Sequence, residues 1–119
     1  MRILPLTALA AAATLWAGAA AAHAFLDHAD PKVGSQVQGP RLLRLWFTQP
    51  LVPAFCRVTV SGPAGFGGAG PATPAPGDRQ SLVVALNGPA PPGVYMVRWH
   101  VLSVDTHVTE GDYSFTVRP

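Results

Sequence analysis

The sequence predicts an all-β domain, a sandwich or barrel built from short strands. Apolar residues alternate with polar ones in several short stretches, which is the period of a half-buried strand. Turn signals separate these stretches at intervals of roughly 8–12 residues. Thirteen prolines and twelve glycines among 119 residues suit strands joined by turns, and no amphipathic helix of useful length is recognisable. These observations together exclude a helical bundle and favour an all-β fold.

The sequence predicts five strands. Leu43, Leu45 and Phe47 alternate with polar or amphipathic neighbours, and the same period recurs further along the chain. The predicted strands are 43–48, 56–61, 82–86, 94–102 and 113–117. Residues 62–79 are mostly Gly, Pro and Ala and predict a long flexible loop without defined chemistry. Periodicity does not give the order in which the strands pair.

Residues 1–22 have the layout of a secretory signal peptide, and residues 23–119 form the predicted domain. Arg2 is followed by an apolar, alanine-rich run and then by small residues. The run is short and poor in branched apolar residues, so a retained membrane anchor is the weaker interpretation. Two cleavage sites fit the small-x-small rule, one before His23 and one before Phe25. Either way, the sequence predicts a soluble, exported protein.

Composition excludes several classes of function. Only 12% of the residues are charged and 49% are hydrophobic, which argues against a disordered chain. The formal net charge is +2, and the basic residues are scattered singly, so there is no stripe to follow a nucleic-acid backbone. A single cysteine excludes an intramolecular disulfide framework and a multi-thiolate zinc site. No hydrolase motif or phosphate-binding glycine loop is present.

The fragment Ser103–His107 carries the most informative chemistry. Asp105 and His107 stand two residues apart, and in extended backbone this spacing points both side chains to one face, about 7 Å apart at their Cα atoms. Two ligands hold a transition metal poorly, and such a fragment is also common as a turn cap. A mature chain that begins at His23 would add an α-amine and a ring Nδ1. Three nitrogens and one oxygen form a set that favours Cu(II).

The remaining histidine and sulfur side chains are expected to have ordinary structural roles. His28 is predicted to lie on the solvated surface beside Asp27, and His100 is predicted to face water. Cys56 shares a face with apolar neighbours and is read as a small buried hydrophobe. Met96 is read as a packing residue within a strand.

Four stretches resemble the CopC family of periplasmic copper-binding proteins. Residues 23–35 resemble the family's N-terminal histidine and its P-x-x-G turn, and residues 45–51 resemble its L-x-F-S-x-P-V strand. Residues 93–107 resemble G-x-Y-x-V-x-W-x-V-x-S-x-D-x-H, and residues 111–117 resemble the closing G-x-x-x-F-x-V. The last two together are the more specific, and the resemblance covers the whole of the expected mature chain.

This resemblance implies a Greek-key β-sandwich or barrel of about seven strands, similar to the immunoglobulin architecture. It also implies one Cu(II) per chain, held by the amine and imidazole of His23, the carboxylate of Asp105 and the imidazole of His107, and it favours cleavage before His23. The function implied is that of a non-enzymatic periplasmic carrier or buffer in copper resistance, with a copper-related inner-membrane protein as a possible partner. Some members have a methionine-rich Cu(I) site, whereas Met96 is the only methionine expected in the mature chain.

Two alternatives stay open at the level of sequence. One is a copper oxidase or oxygenase, because an amine-plus-imidazole chelate also occurs in oxidative polysaccharide-cleaving enzymes; turnover of ascorbate with oxygen would identify it. The other is a metal-free, immunoglobulin-like structural module. A Cu(II) titration of the metal-free protein separates this module from the carrier.

Overall fold

The computed structural model describes residues 23–119. The predicted signal peptide, residues 1–22, lies outside this part of the chain. Within the described residues, no helix has the length and hydropathy needed to cross a bilayer.

Eight strands and one 3₁₀ turn make up the regular structure of the described residues. They are β1 (Leu26–Asp30), β2 (Gln36–Val37), β3 (Leu42–Phe47), the 3₁₀ helix Pro53–Phe55, β4 (Arg57–Ser61), β5 (Thr73–Ala75), β6 (Asp78–Ala85), β7 (Gly93–Leu102) and β8 (Val108–Val117). The five predicted strands are present, with ends shifted by a few residues, and β1, β2 and β5 are additional.

The strands form two four-stranded sheets. The first has the order β1-β3-β6-β5 and the second the order β2-β8-β7-β4. Only β5–β6 and β7–β8 pair strands that are consecutive in sequence; the other pairs are reached by connections that cross from one sheet to the other. All pairs are antiparallel except β2–β8. The predicted β-sandwich is confirmed.

The core lies between the two sheets and is filled by the residues whose alternation predicted the strands. Along β7 every second side chain is buried, and the same holds in β3 and at the end of β8. Phe47 of the first sheet packs edge-on against Trp99 of the second, with ring centroids 5.3 Å apart. Tyr95 and Phe115 stack with their centroids 5.2 Å apart. The first contact joins the two sheets, and the second lies within the second sheet, between β7 and β8.

The expectation of a structureless loop over residues 62–79 is wrong. This segment contains β5, and Phe66 packs edge-on against the buried ring of Tyr95 at 5.1 Å between centroids. Gly62 allows the close approach, because a Cβ at this position would lie 2.5 Å from the Tyr95 ring. At this position, therefore, the glycine permits close packing of the backbone against an aromatic ring.

Candidate metal centre

The connection between β7 and β8 places Asp105 and His107. The hairpin's last pair is Leu102 with Val108, and Ser103–His107 close the turn between them. Thr106 adopts a left-handed conformation with φ of 70°, so the backbone between the two residues is a turn and not the extended form that the spacing argument assumed. The turn nevertheless brings the two side chains together, with Nδ1 of His107 3.4 Å from Oδ2 of Asp105.

The first described residues run into the same end of the sandwich. β1 pairs with β3 and carries the segment before it toward the β7–β8 turn. Ala24 is fully buried, and the ring of His23 lies 4.3 Å from the ring of His107, centroid to centroid. Residues from opposite ends of the domain sequence therefore meet at one place on its surface.

Three candidate ligands form a compact cluster. One potential ligand atom from each of His23, Asp105 and His107 lies within 4.8 Å of the others. No other group of three or more His, Cys, Asp or Glu side chains in residues 23–119 has this geometry. Nδ1 of His23 is buried and has no hydrogen-bond partner. A buried nitrogen without a partner is costly unless something binds it. The donor set and this unpartnered atom both fit a bound metal ion.

Hydrogen bonds orient the carboxylate of Asp105. The hydroxyl of the buried Ser103 donates to Oδ1 in a short contact, and the N–H of His107 approaches the same oxygen at 3.4 Å. These bonds occupy Oδ1 and leave Oδ2 facing the His107 ring. The hydrogen bond from Ser103, reinforced by the backbone N–H and the charge of His107, lowers the pKa of Asp105. The carboxylate is therefore available in its ionised form, which a metal ion requires.

His28 and His100 lie outside this cluster. His28 is exposed, as predicted; its Nδ1 is 2.7 Å from Asp27 Oδ2, and its ring stacks on Trp46 at 4.3 Å. His100 is half-buried on the outer face of β7, opposite Glu110, with Nδ1 buried. The prediction that His100 simply faces water is therefore incomplete, because the residue is half-buried and its Nδ1, like that of His23, has no hydrogen-bond partner within residues 23–119.

The two sulfur side chains are also apart from the cluster. Cys56 is buried, as predicted, with Sγ 3.3 Å from the carbonyl oxygen of Val52, and burial raises the pKa of its thiol. Met96 is 38% exposed on the outer face of β7, so its predicted packing role is wrong. The alternation of β7 explains this, since the inward positions are those of Tyr95 and Val97.

Comparison with known proteins places the chain in a family. The model of the CopC domain matches residues 26–118. The chain belongs to the CopC family. Its CopC domain is 36% identical over 99 residues to protein YobA of Escherichia coli K12, covering 82% of this chain and 80% of that protein. It is 32% identical over 124 residues to copper resistance protein C of Xanthomonas campestris pv. juglandis, covering 98% and 97%.

Solved structures of CopC proteins have the same fold. The crystal structure of CopC from Methylosinus trichosporium OB3b aligns with a TM-score of 0.73 at 30% identity, covering 82% of this chain and 95% of that one. The methionine-rich copper resistance protein PcoC from Escherichia coli aligns with a TM-score of 0.67 at 32% identity, covering 82% and 100%. The family predicted from sequence motifs is confirmed.

Membership of the CopC family gives the protein a role connected with copper. The named relatives include copper resistance proteins, and the family is one of copper-binding resistance proteins rather than enzymes. The comparisons thereby support the non-enzymatic prediction. The ligand assignments of His23, Asp105 and His107 stay predictions.

Sequence reasoning missed the side chains that hold this site in place. Ser103 stands at the start of the informative fragment, but its role depends on a hydroxyl that reaches Asp105 across the turn. Thr48 and Thr109 contact the segment that begins at His23. Neither threonine belongs to a metal-ligand pattern, so no signal in the sequence alone identifies their contacts.

Proposed function

We propose that this CopC protein is an exported Cu(II) carrier or buffer that works in the periplasm in copper resistance. One copper ion per chain is its cargo, held by the amine and Nδ1 of His23, a carboxylate oxygen of Asp105 and an imidazole nitrogen of His107. The observation that carries the proposal is the convergence of these three residues, with their donor atoms within 4.8 Å of one another.

The α-amine requires that the mature chain begin at His23. If another residue precedes it, the nitrogen belongs to an amide, which has no lone pair free for a metal at neutral pH. The small residues before His23 provide the cleavage site, and the segment 1–22 provides the export signal. The amine and the unpartnered Nδ1 of the same residue then chelate one ion together.

The donor set favours Cu(II) over Cu(I). Amine, imidazole and carboxylate donors suit Cu(II), which also stands at the top of the affinity order of the divalent first-row metals. Cu(I) prefers thiolate and thioether ligands. Cys56 and Met96 supply these atoms, but neither belongs to the cluster of His23, Asp105 and His107.

Exposure of the site suits transfer of the cargo. The side chains of His107 and Asp105 are 56% and 34% exposed, so another molecule can reach the ion without unfolding of the domain. A copper-related inner-membrane protein is the partner we propose for this exchange. If the protein were instead a metal-free structural module, nothing would bind the buried Nδ1 of His23.

Two measurements test the proposal. The intact mass of the exported protein should correspond to a chain that begins at His23. Metal-free mature protein, titrated with Cu(II) against a competing chelator, should bind one equivalent, and its EPR spectrum should show nitrogen ligation. A mass for a chain beginning at Phe25, or the absence of Cu(II) binding by the chain that begins at His23, would overturn the proposal.

A further inference from the structure

Hydrogen bonds hold three consecutive main-chain carbonyl groups at the start of the domain. The hydroxyl of Thr48 donates to the carbonyl oxygen of His23 at 3.2 Å, and the N–H of Thr48 donates to that of Phe25 at 2.9 Å. The hydroxyl of Thr109 donates to the carbonyl oxygen of Ala24 in a short contact. The Thr48 hydroxyl also accepts the N–H of Phe25 at 2.9 Å. Each residue of the segment 23–25 is thereby fixed.

The two threonines hold this segment from different sheets. Thr48 directly follows β3 of the first sheet, whereas Thr109 is the second residue of β8 in the second sheet. Thr109 also lies two residues beyond His107, so its bond to Ala24 ties the segment to the strand that directly follows this candidate ligand. Ala24 is fully buried between these contacts.

We propose that Thr48 and Thr109 are positioning residues for the copper site. Their hydroxyls hold the backbone of His23 so that its amine and ring face Asp105 and His107 before any metal binds. The inference rests on the proposed function, because these hydroxyls are proposed to position His23, one of the proposed copper ligands.

The physical reason is the entropy of a chain end. The first residues of a domain are poorly ordered unless they are tied down, and an untied His23 would have to be ordered each time copper binds. Four hydrogen bonds to Thr48 and Thr109 remove this cost from the binding step. Residues that orient metal ligands commonly change metal affinity by ~10–100-fold when they are replaced.

Valine replaces threonine with a similar shape and no hydroxyl, so Thr48→Val and Thr109→Val remove these bonds selectively. Thr48→Ser restores the hydroxyl and serves as the rescue variant. Thr59→Val is the matched control, since Thr59 is an exposed residue of β4 whose side chain has no hydrogen bond within residues 23–119. Thermal unfolding checks that each variant is folded.

Two readouts are taken on mature protein that begins at His23. The first is amide hydrogen exchange of Phe25 by NMR in the metal-free state, where loss of the Thr48 acceptor should speed exchange at least tenfold. The second is Cu(II) affinity by chelator competition, which should fall by ~10–100-fold in Thr48→Val and in Thr109→Val. Thr48→Ser and Thr59→Val should behave like the wild type in both.

The outcomes separate this inference from the proposed function. If wild-type protein does not bind Cu(II), the proposed function fails. If it binds and both valine variants match its affinity, the positioning role is wrong and the proposed function stands. Faster exchange of Phe25 without loss of affinity also overturns the inference, because the hydroxyls then order the segment without supporting the site. If Thr48→Val does not fold, Thr109→Val, on the other sheet, decides the question.

Discussion

Replacement of His107 by alanine separates ligation from structural support. The side chain of His107 is 56% exposed, so its removal opens no cavity in the core. The main-chain N–H and carbonyl group of residue 107, which contact Asp105 and Ser103, are retained in the variant. We therefore expect the free energy of unfolding to change by no more than about 0.5 kcal/mol, or roughly 2–4 °C in the unfolding midpoint.

The effect on copper binding should be far larger. Residues that only orient ligands cost ~10–100-fold in metal affinity, so the loss of a ligand should exceed 100-fold, or about 2.8 kcal/mol. The assay is chelator competition with Cu(II) on mature, metal-free protein, with EPR to follow nitrogen ligation. Asp105→Ala should also weaken binding by orders of magnitude, although it additionally releases the Ser103 hydroxyl.

His28→Ala is the matched control for this experiment. Its side chain is also 56% exposed, and its Nδ1 also lies beside a carboxylate, that of Asp27. Its removal should change Cu(II) affinity little, and so should that of His100. A loss of 100-fold or less for His107→Ala would indicate support rather than ligation. Equal losses for His100→Ala and His107→Ala would refute the assignment of the site.

Four further predictions concern the chain end, the pH dependence, the copper oxidation state and the core. A chain that keeps one residue before His23 should bind Cu(II) more weakly than the mature chain, and equal affinities in the same competition assay would exclude the amine as a ligand. Because amine, imidazole and carboxylate ligands bind a metal in their deprotonated form, protons compete with Cu(II), and its affinity should fall as the pH is lowered; a flat profile would contradict this donor set. Cu(I) should bind more weakly than Cu(II), whereas tight stoichiometric Cu(I) binding that survives loss of His23 would indicate a site at Cys56 or Met96. Gly111→Ala should lower the free energy of unfolding by about 1–3 kcal/mol in urea denaturation, because its Cβ would lie 2.6 Å from Cζ2 of Trp99, and an unchanged midpoint would show that the ring moves aside freely.

The sequence allowed the strands with strict alternation to be predicted well. In β3 and β7 the side-chain period is the direct result of one face packing on the core, so the pattern in the sequence and the burial in the structure coincide. Residues 62–79 lack such a period. Their order comes from contacts with distant residues, such as that of Phe66 with Tyr95, and composition does not report these contacts.

At the site too, a contact between residues close in sequence was predictable, whereas contacts between distant residues were not. The pairing of Asp105 with His107 was visible as a spacing, yet the backbone between them turns through a left-handed Thr106 instead of extending. The approach of His23 to His107 depends on how two sheets are stacked. The donor chemistry of an N-terminal histidine and the family resemblance suggested it, whereas periodicity did not. The bonds from Thr48 and Thr109 join residues that periodicity cannot relate, so they became visible only in three dimensions.

Under the proposed function, the meeting of residues 23–25 with the β7–β8 turn gives the copper ion a second effect. Thr109 and Ala24 are 85 positions apart in sequence, so an ion held beside them closes a ring that contains most of the domain. The unfolded chain does not bring these residues together, so the ion binds the folded state in preference and stabilises it by mass action. Under the proposed function, copper at a free concentration of ~100 times the dissociation constant would raise the free energy of unfolding by ~2.7 kcal/mol. Loaded and empty carriers would then differ in their resistance to heat and proteases, so the cell could remove empty molecules preferentially.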